Sequence, residues 1–258
     1  GVGFLILTFY IYLMRFFIHL SYCGTAYHGW QKQPNDSTVQ EKLDFCLSKL
    51  IGKDVETLGC GRTDSGVHAS DFYAHFDVEE QNFTEVDLAF RLNRFLPKDI
   101  AVKKVFKVND DFHARFDAKW REYEYWITFQ KDAFLIDRAL HLPVNVDINK
   151  MQEAASLLPN YTDFQCFSKV HTDVNNFNCT VHLAEFEKRG NLLVFKIRAN
   201  RFLRNMVRAI VGTLIEVGKG NVSIEEFKKI IESKDRKEAG TSIDAHALYL
   251  SKVEYDFN

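Results

Sequence analysis

An α+β fold, with two related lobes and a mixed but largely antiparallel sheet flanked by helices, is what the sequence predicts. Three observations carry that expectation. Aromatic and β-branched segments alternate with amphipathic helical patterns, strand–helix–strand order recurs once in each half, and the spacing is too uneven for a doubly wound sheet. The 258 residues, 46% of them hydrophobic with 23 Phe, can bury a substantial core without disulfides.

The elements follow in order. Residues 15–22 (RFFIHLSY) read as a strand leading into a Gly-containing loop at 23–33. Thr38 and Glu41 make a capping-box pattern, and Val39, Leu43, Leu47 and Leu50 line one face of the helix that it starts. After the loop GCGRTDSGVHA at 59–69 comes a strand at 72–76. Thr84 caps a second helix, with Val86, Ala89, Leu92 and Phe95 at helical spacing until Pro97. A strand at 100–108 precedes DFHARFDA at 111–118. Residues 121–129 (REYEYWITF) read as a long strand with Tyr123, Tyr125, Ile127 and Phe129 on one face and Trp126 on the other. A helix over 147–158 buries Ile148, Met151, Ala154 and Leu158, and segments 180–186 and 192–198 form a hairpin over KRGN. A helix over 201–217 presents Leu203, Val207, Ile210, Val211 and Leu214 on one side and Arg201, Arg204 and Arg208 on the other. Ser223 and Glu226 open a last helix with Ile224, Phe227, Ile230 and Ile231 inward, and LYLSKVEY closes the chain as a strand. The lobes are expected at 15–109 and 110–258, with 1–14 as an N-terminal extension.

Composition narrows the chemistry. Thirty-three Lys+Arg against 35 Asp+Glu leave a formal charge of -2, so local patches rather than bulk charge must carry any nucleic-acid binding. Five Cys without C-x-x-C spacing argue against a disulfide framework and a zinc knuckle, and they fit a reducing cytosol. The uncharged first 14 residues are shorter than the roughly 20 that cross a bilayer, and no membrane partner is expected.

The loop at 59–69 packs three glycines around Arg62, Asp64 and His68, a composition suited to presenting polar side chains toward a ligand. It lacks the phosphate-loop pattern, and no second carboxylate pairs with Asp64 as a hydrolytic glycosidase would require. From composition alone, the favoured reading is a structural turn in which Asp64 caps neighbouring amides and pairs with Arg62. His68 and Asp71 read as hydrogen-bonding residues rather than metal ligands.

GCGRTDSGVHA closely resembles the active-site motif G-x-G-R-T-D-x-G-V-H of the tRNA pseudouridine synthase A family. LSYCGTAYHGWQKQ at 20–33, DFHARFDA at 111–118 and RFLRNMVRAIVGTLIEVGKG at 201–220 are similar to that family's opening, central and late segments, in the same order. The resemblance runs from Met14 to the C-terminus and implies a pseudouridine synthase fold, isomerisation of uridine to pseudouridine in the anticodon stem-loop of tRNA, no cofactor and a homodimer. It also assigns residues. Asp64 takes the place of the catalytic aspartate, which in the family attacks the ribose or removes a ribose proton. Tyr123 matches the tyrosine that lies against the target base, where a ring supports a flipped uracil by stacking. Arg208 matches the arginine of the M-V-R segment and is the expected ion-pair partner of Asp64 through two hydrogen bonds. Arg62 matches the arginine that fills the position vacated by the flipped nucleotide, and Leu248 the apolar residue near the uracil. Lys32, Arg115, Lys119, Arg121, Arg201 and Arg204 are candidates for phosphate contacts. The segment GTSIDAHALYL at 240–250 departs from the family's G-x-T-A-P-A-x-G-L-x-L, lacking its Pro and second Gly. Alternative readings are a non-catalytic RNA-binding module, motivated by the basic helix and aromatic strands, and a nucleoside or nucleotide glycosidase.

Overall fold

The structure is a computed structural model that describes residues 13–170 and 175–257. The expected N-terminal extension lies almost wholly outside the described residues. The first half runs β1 (Met14–Tyr22), α1 (Val39–Ile51), β2 (Leu58–Gly59), β3 (His68–Val78), α2 (Glu85–Phe95) and β4 (Ile100–Lys107). The second runs β5 (Trp120–Thr128), β6 (Leu140–His141), α3 (Ile148–Leu157), β7 (Val181–Arg189), β8 (Leu192–Ala199), α4 (Met206–Gly218), α5 (Ile224–Ser233) and β9 (Leu248–Glu254). Among the described residues this is one nine-stranded, mostly antiparallel sheet with five α-helices, the α+β arrangement expected.

Local chemistry sets the helix starts. Thr38 and Thr84 each accept a hydrogen bond from the amide three residues on, Asp147 accepts from Asn149 and Lys150, and Ser223 with Glu226 completes a reciprocal capping box. The sheet order is β4-β1-β3-β9-β5-β8-β7, with β2 paired to β3 and β6 to β5. The halves join where β3 and β9 run parallel for a single short stretch, His68 opposite Tyr249 and Ala69 opposite Leu250.

Two buried clusters flank that seam. In one, Phe16, Ile18 and Leu20 of β1 lie with Val39, Leu43 and Leu47 of α1 and with Leu88 and Leu92 of α2. In the other, Tyr125 and Ile127 of β5 and Phe195 and Ile197 of β8 meet residues of α3, α4 and α5. Burial of side chains this size stabilises the fold by about 1.5–3 kcal/mol each.

Two helix readings are corrected. Val86 and Phe95 are 82% and 45% exposed, because Leu88 and Leu92 supply the buried stripe of α2. The late helix begins at Met206, not Arg201. Asn205 sits at φ 69, outside helical space, while the Arg204 carbonyl accepts from the Lys169 amide instead of a helical amide. Arg201 and Arg204 therefore belong to the segment before α4. The strand expected at 72–76 is also longer, and His68 and Ala69, assigned to the loop, open it.

Candidate active site

The residues between β2 and β3 are held tightly against the segment after β1. Tyr22 and Thr63 share a buried hydroxyl hydrogen bond at 2.8 Å, the Gly66 amide donates to the Tyr27 carbonyl and the Val67 amide to the Asp64 carbonyl. Two glycines make this approach possible. A Cβ on Gly24 would sit 1.9 Å from the Val67 carbonyl oxygen, and one on Gly29, at φ +85, would sit 2.2 Å from that of Thr63. His68 locks the loop's far end. Its Nδ1 accepts from the Gly24 amide at 3.0 Å, so its Nε2 carries the proton and donates to the carbonyls of His246 at 2.8 Å and Asp137 at 3.2 Å. Burial lowers its pKa, in keeping with this neutral form. Among the described residues, no group of three His, Cys, Asp or Glu is placed to hold a metal ion.

This framework presents Asp64 half-buried, facing two arginines. Arg208 Nη1 lies 3.8 Å from Oδ2 and Arg204 Nε 3.7 Å from Oδ1. These are ion pairs at longer range than the two direct hydrogen bonds expected of Arg208, whose Nε instead donates to the Ile243 carbonyl at 2.6 Å. Arg62 is exposed and, among the described residues, its guanidinium has no hydrogen-bond or ion-pair partner, so it does not pair with Asp64.

The two strand tyrosines part company. Tyr125 is fully buried and its hydroxyl donates to the Asp244 carbonyl at 2.8 Å. Tyr123 is half-buried, packs edge-on against Phe202 at 5.0 Å, and has its phenol pKa pushed up by burial, with smaller contributions from neighbouring Cys60 and Asp64. Tyr123 is thus the strand tyrosine near the carboxylate. Cys60 is buried, and desolvation pushes its thiol up to about 12, too high for a thiolate nucleophile at neutral pH.

Arg121 is the residue whose role sequence reasoning missed. Its Nη1 donates to the carbonyls of Ala118 and Asn200, and its Nη2 to those of Cys60 at 2.8 Å and Arg115 at 2.6 Å. One guanidinium ties the Asp64 loop, the 111–118 segment and the end of β8 together. The sequence marked it only as a candidate phosphate contact and said nothing of its acceptors. Arg204, expected on phosphate, is the second arginine at Asp64. Leu248 is 5% exposed, opposite Tyr125 in the β5–β9 ladder. Of the other expected phosphate contacts, Arg115 and Lys119 flank this clamp, Lys119 pairing with Asp256, while Arg201 donates to the Asn176 carbonyl. Lys32 lines a separate groove of about 1640 Å³ whose walls include Asp44 and Lys49 but not Asp64.

The family model described as tRNA pseudouridine synthase matches residues 19–117 and 154–256, which includes every residue of the Asp64–Arg204–Arg208 cluster. The chain belongs to this family. A relative from Parabacteroides distasonis, described as tRNA pseudouridine synthase A, is 50% identical over 94% of this chain and 96% of its own length. One of the same description from Bacteroides thetaiotaomicron is 51% identical over 94% and 91%. Another, from Bacillus licheniformis, is 40% identical over 94% and 100%. A solved chain from Galdieria sulphuraria, described as an unknown protein, covers 81% of this chain and 94% of its own at 10% identity, but with a TM-score of 0.22 it carries no weight. For a pseudouridine synthase the cluster has a chemical rationale: a carboxylate near a half-buried aromatic ring, faced by two arginines.

Proposed function

We propose that this chain isomerises uridine to pseudouridine in the anticodon stem-loop of tRNA, with Asp64 as the catalytic carboxylate and no cofactor. The observation that carries the reading is the convergence of Asp64, Arg204, Arg208 and Tyr123 from a loop, a turn, a helix and a strand. In the reaction the C1′–N1 bond breaks, the retained uracil turns, and a C1′–C5 bond forms. N1 gains a proton and C5 loses one to solvent, so the RNA changes its connectivity but not its composition. Asp64 acts at the ribose, by attack or by removing a proton. Arg208 and Arg204 hold the carboxylate in place, Tyr123 supports the flipped base with Leu248 behind it, and Arg62 fills the vacated stack. Lys32, Arg115, Lys119 and Arg201 take phosphates. Arg121, with its terminal nitrogens engaged by four carbonyls, is left to hold the Asp64 loop in register. The working form is a cytoplasmic homodimer of two-lobed subunits divided near residue 110.

Purified protein incubated with tRNA carrying tritium at uridine C5 is expected to release tritium stoichiometrically with the target uridine. Asp64→Ala is expected to abolish release while retaining most binding, because the phosphate contacts lie elsewhere. Bound, unmodified tRNA that keeps all its tritium would leave only an RNA-binding module, and free uracil in the supernatant would mean a glycosidase.

A further inference from the structure

The 111–118 segment displays a large aromatic ring that the chemistry above leaves unused. Phe116 is 75% exposed, far from the buried norm for its type. It does not sit on a loose loop. His113 Nδ1 accepts from the amides of both Arg115 and Phe116, the His113 amide donates to Asp117 Oδ2 at 2.6 Å, and the Asp117 amide returns to the His113 carbonyl. The His113 ring lies 4.3 Å from the Phe116 ring, inclined by 34°, and the Arg115 guanidinium is 5.8 Å from the same ring. His113 in turn packs edge-on against the buried His75, whose Nδ1 accepts from the Ala114 amide. The turn is therefore anchored beneath while its ring faces outward.

Its register with the active loop is fixed too. The carbonyls of Arg115 and Cys60 share one nitrogen, Nη2 of Arg121, so the residue next to Phe116 and the residue four before Asp64 are clamped together. An exposed flat ring beside a guanidinium, held rigid at the edge of a site that takes an extruded nucleotide, has the composition of a single-strand stacking platform.

We propose that Phe116 stacks an unpaired nucleobase of the RNA substrate, one flanking the target uridine rather than the target itself. The inference rests on the RNA-isomerase reading and adds a contact that none of the residues above makes. A flanking base parked on Phe116 keeps the strand from restacking while the target is extruded, and Arg115 beside it is placed for the adjoining phosphate.

Three substitutions test it: Phe116→Ala, Phe116→Leu and Phe116→Trp, each measured for tritium release, for thermal melting, and for tRNA transcript binding in an Asp64→Ala background. Stacking on one aromatic ring is worth a factor of about 5–150 in affinity. Ala and Leu are expected to lose at least that lower factor in transcript affinity and in kcat/KM, and Trp to retain both, with all three melting as the parent does. Leu matching Trp would reduce Phe116 to an apolar contact and overturn the proposal, as would an Ala variant that binds and turns over like the parent. Should Ala melt early, the Leu–Trp contrast decides alone. A parent that releases no tritium from tRNA removes the isomerase reading, and this inference with it, whereas an active parent with an indifferent Phe116 removes this inference only.

Discussion

Arg121→Ala separates a structural clamp from a phosphate contact. The parent side chain makes four hydrogen bonds to backbone carbonyls, of which those to Ala118 and Cys60 are partly buried and those to Arg115 and Asn200 are exposed. Water replaces the exposed pair at little cost, so only the partly buried pair counts. Bonds from a charged donor contribute about 1.5–3 kcal/mol each, and the lower bound applies to partly solvated carbonyls, giving a loss of about 3 kcal/mol. For a chain of this size each kcal/mol moves Tm by about 2–4 °C, so the variant is expected to melt about 6–12 °C early. Turnover is expected to fall further than stability explains, by about tenfold or more at a temperature where the variant is folded, because the Asp64 loop loses its tie at Cys60. Arg121→Lys recovers only part of either effect, since one ammonium cannot span acceptors arranged around a planar fork. Circular-dichroism melts and single-turnover tritium release read the two quantities. A variant that melts with the parent and turns over normally would refute the clamp. Normal melting with weakened tRNA binding that depends less steeply on salt than the parent's would return Arg121 to the phosphate contacts.

Two further outcomes follow from the packing. Gly24→Ala puts a methyl 1.9 Å from the Val67 carbonyl oxygen and 2.6 Å from its carbon, so the backbone beside Asp64 must move; a loss of about 1–3 kcal/mol in urea unfolding, with turnover depressed well beyond it, is expected. Gly52→Ala is the control, since at φ +83 it strains the backbone but meets nothing within 4 Å, and full activity there with reduced activity at Gly24 is the discriminating pattern. Asp44 supplies a pH signature. Burial raises its pKa from 3.8 to about 6 against the pull of two Thr57 hydrogen bonds, and its Oδ2 is buried without a hydrogen-bond partner. Between those values the folded state keeps a proton that the unfolded chain has released, so this group's contribution to stability falls as pH rises from about 4 to about 6 and stays low above that. Asp44→Asn is expected to gain about 3 kcal/mol relative to the parent between pH 4 and pH 7.5. Equal parent–variant differences at both pH values in urea titrations would contradict this.

What sequence reading reached and what it missed divide along the range of the interactions. Thr38, Thr84, Asp147 and Ser223 cap helices through atoms two or three residues away, so the starts of α1, α2, α3 and α5 were legible. The start of α4 was not, because Asn205 is turned out of the helix by contacts to Ser242 and by Lys169 bonding its neighbour. The two-residue strands β2 and β6 exist only because β3 and β5 offer them edges. At the site, Asp64 stood out from its motif, yet its pairing with Arg204 spans 140 positions and depends on that same unpredicted turn. The family pattern already pointed to Tyr123 over Tyr125, but a physical reason for the difference needed the Asp244 carbonyl, which consumes the latter's hydroxyl.

The departure at 240–250 becomes intelligible on these terms. Three side chains from three elements each donate to a carbonyl of this short segment: Arg208 of α4 to Ile243, Tyr125 of β5 to Asp244, and His68 of β3 to His246. What the site grips is the backbone, and a carbonyl is supplied by any residue. Gly212 makes room on the helix side, since a Cβ there would sit 2.0 Å from the Thr241 carbonyl oxygen. The chain then enters β9 at Leu248 and meets β3 at the parallel seam one residue later, so the wall is set from both ends. Loss of the family's Pro and second Gly therefore changes the side chains presented along the wall while its backbone path stays specified by Arg208, Tyr125 and His68. Divergence in this segment is expected to tune which RNA is accepted, not whether Asp64 is held in place.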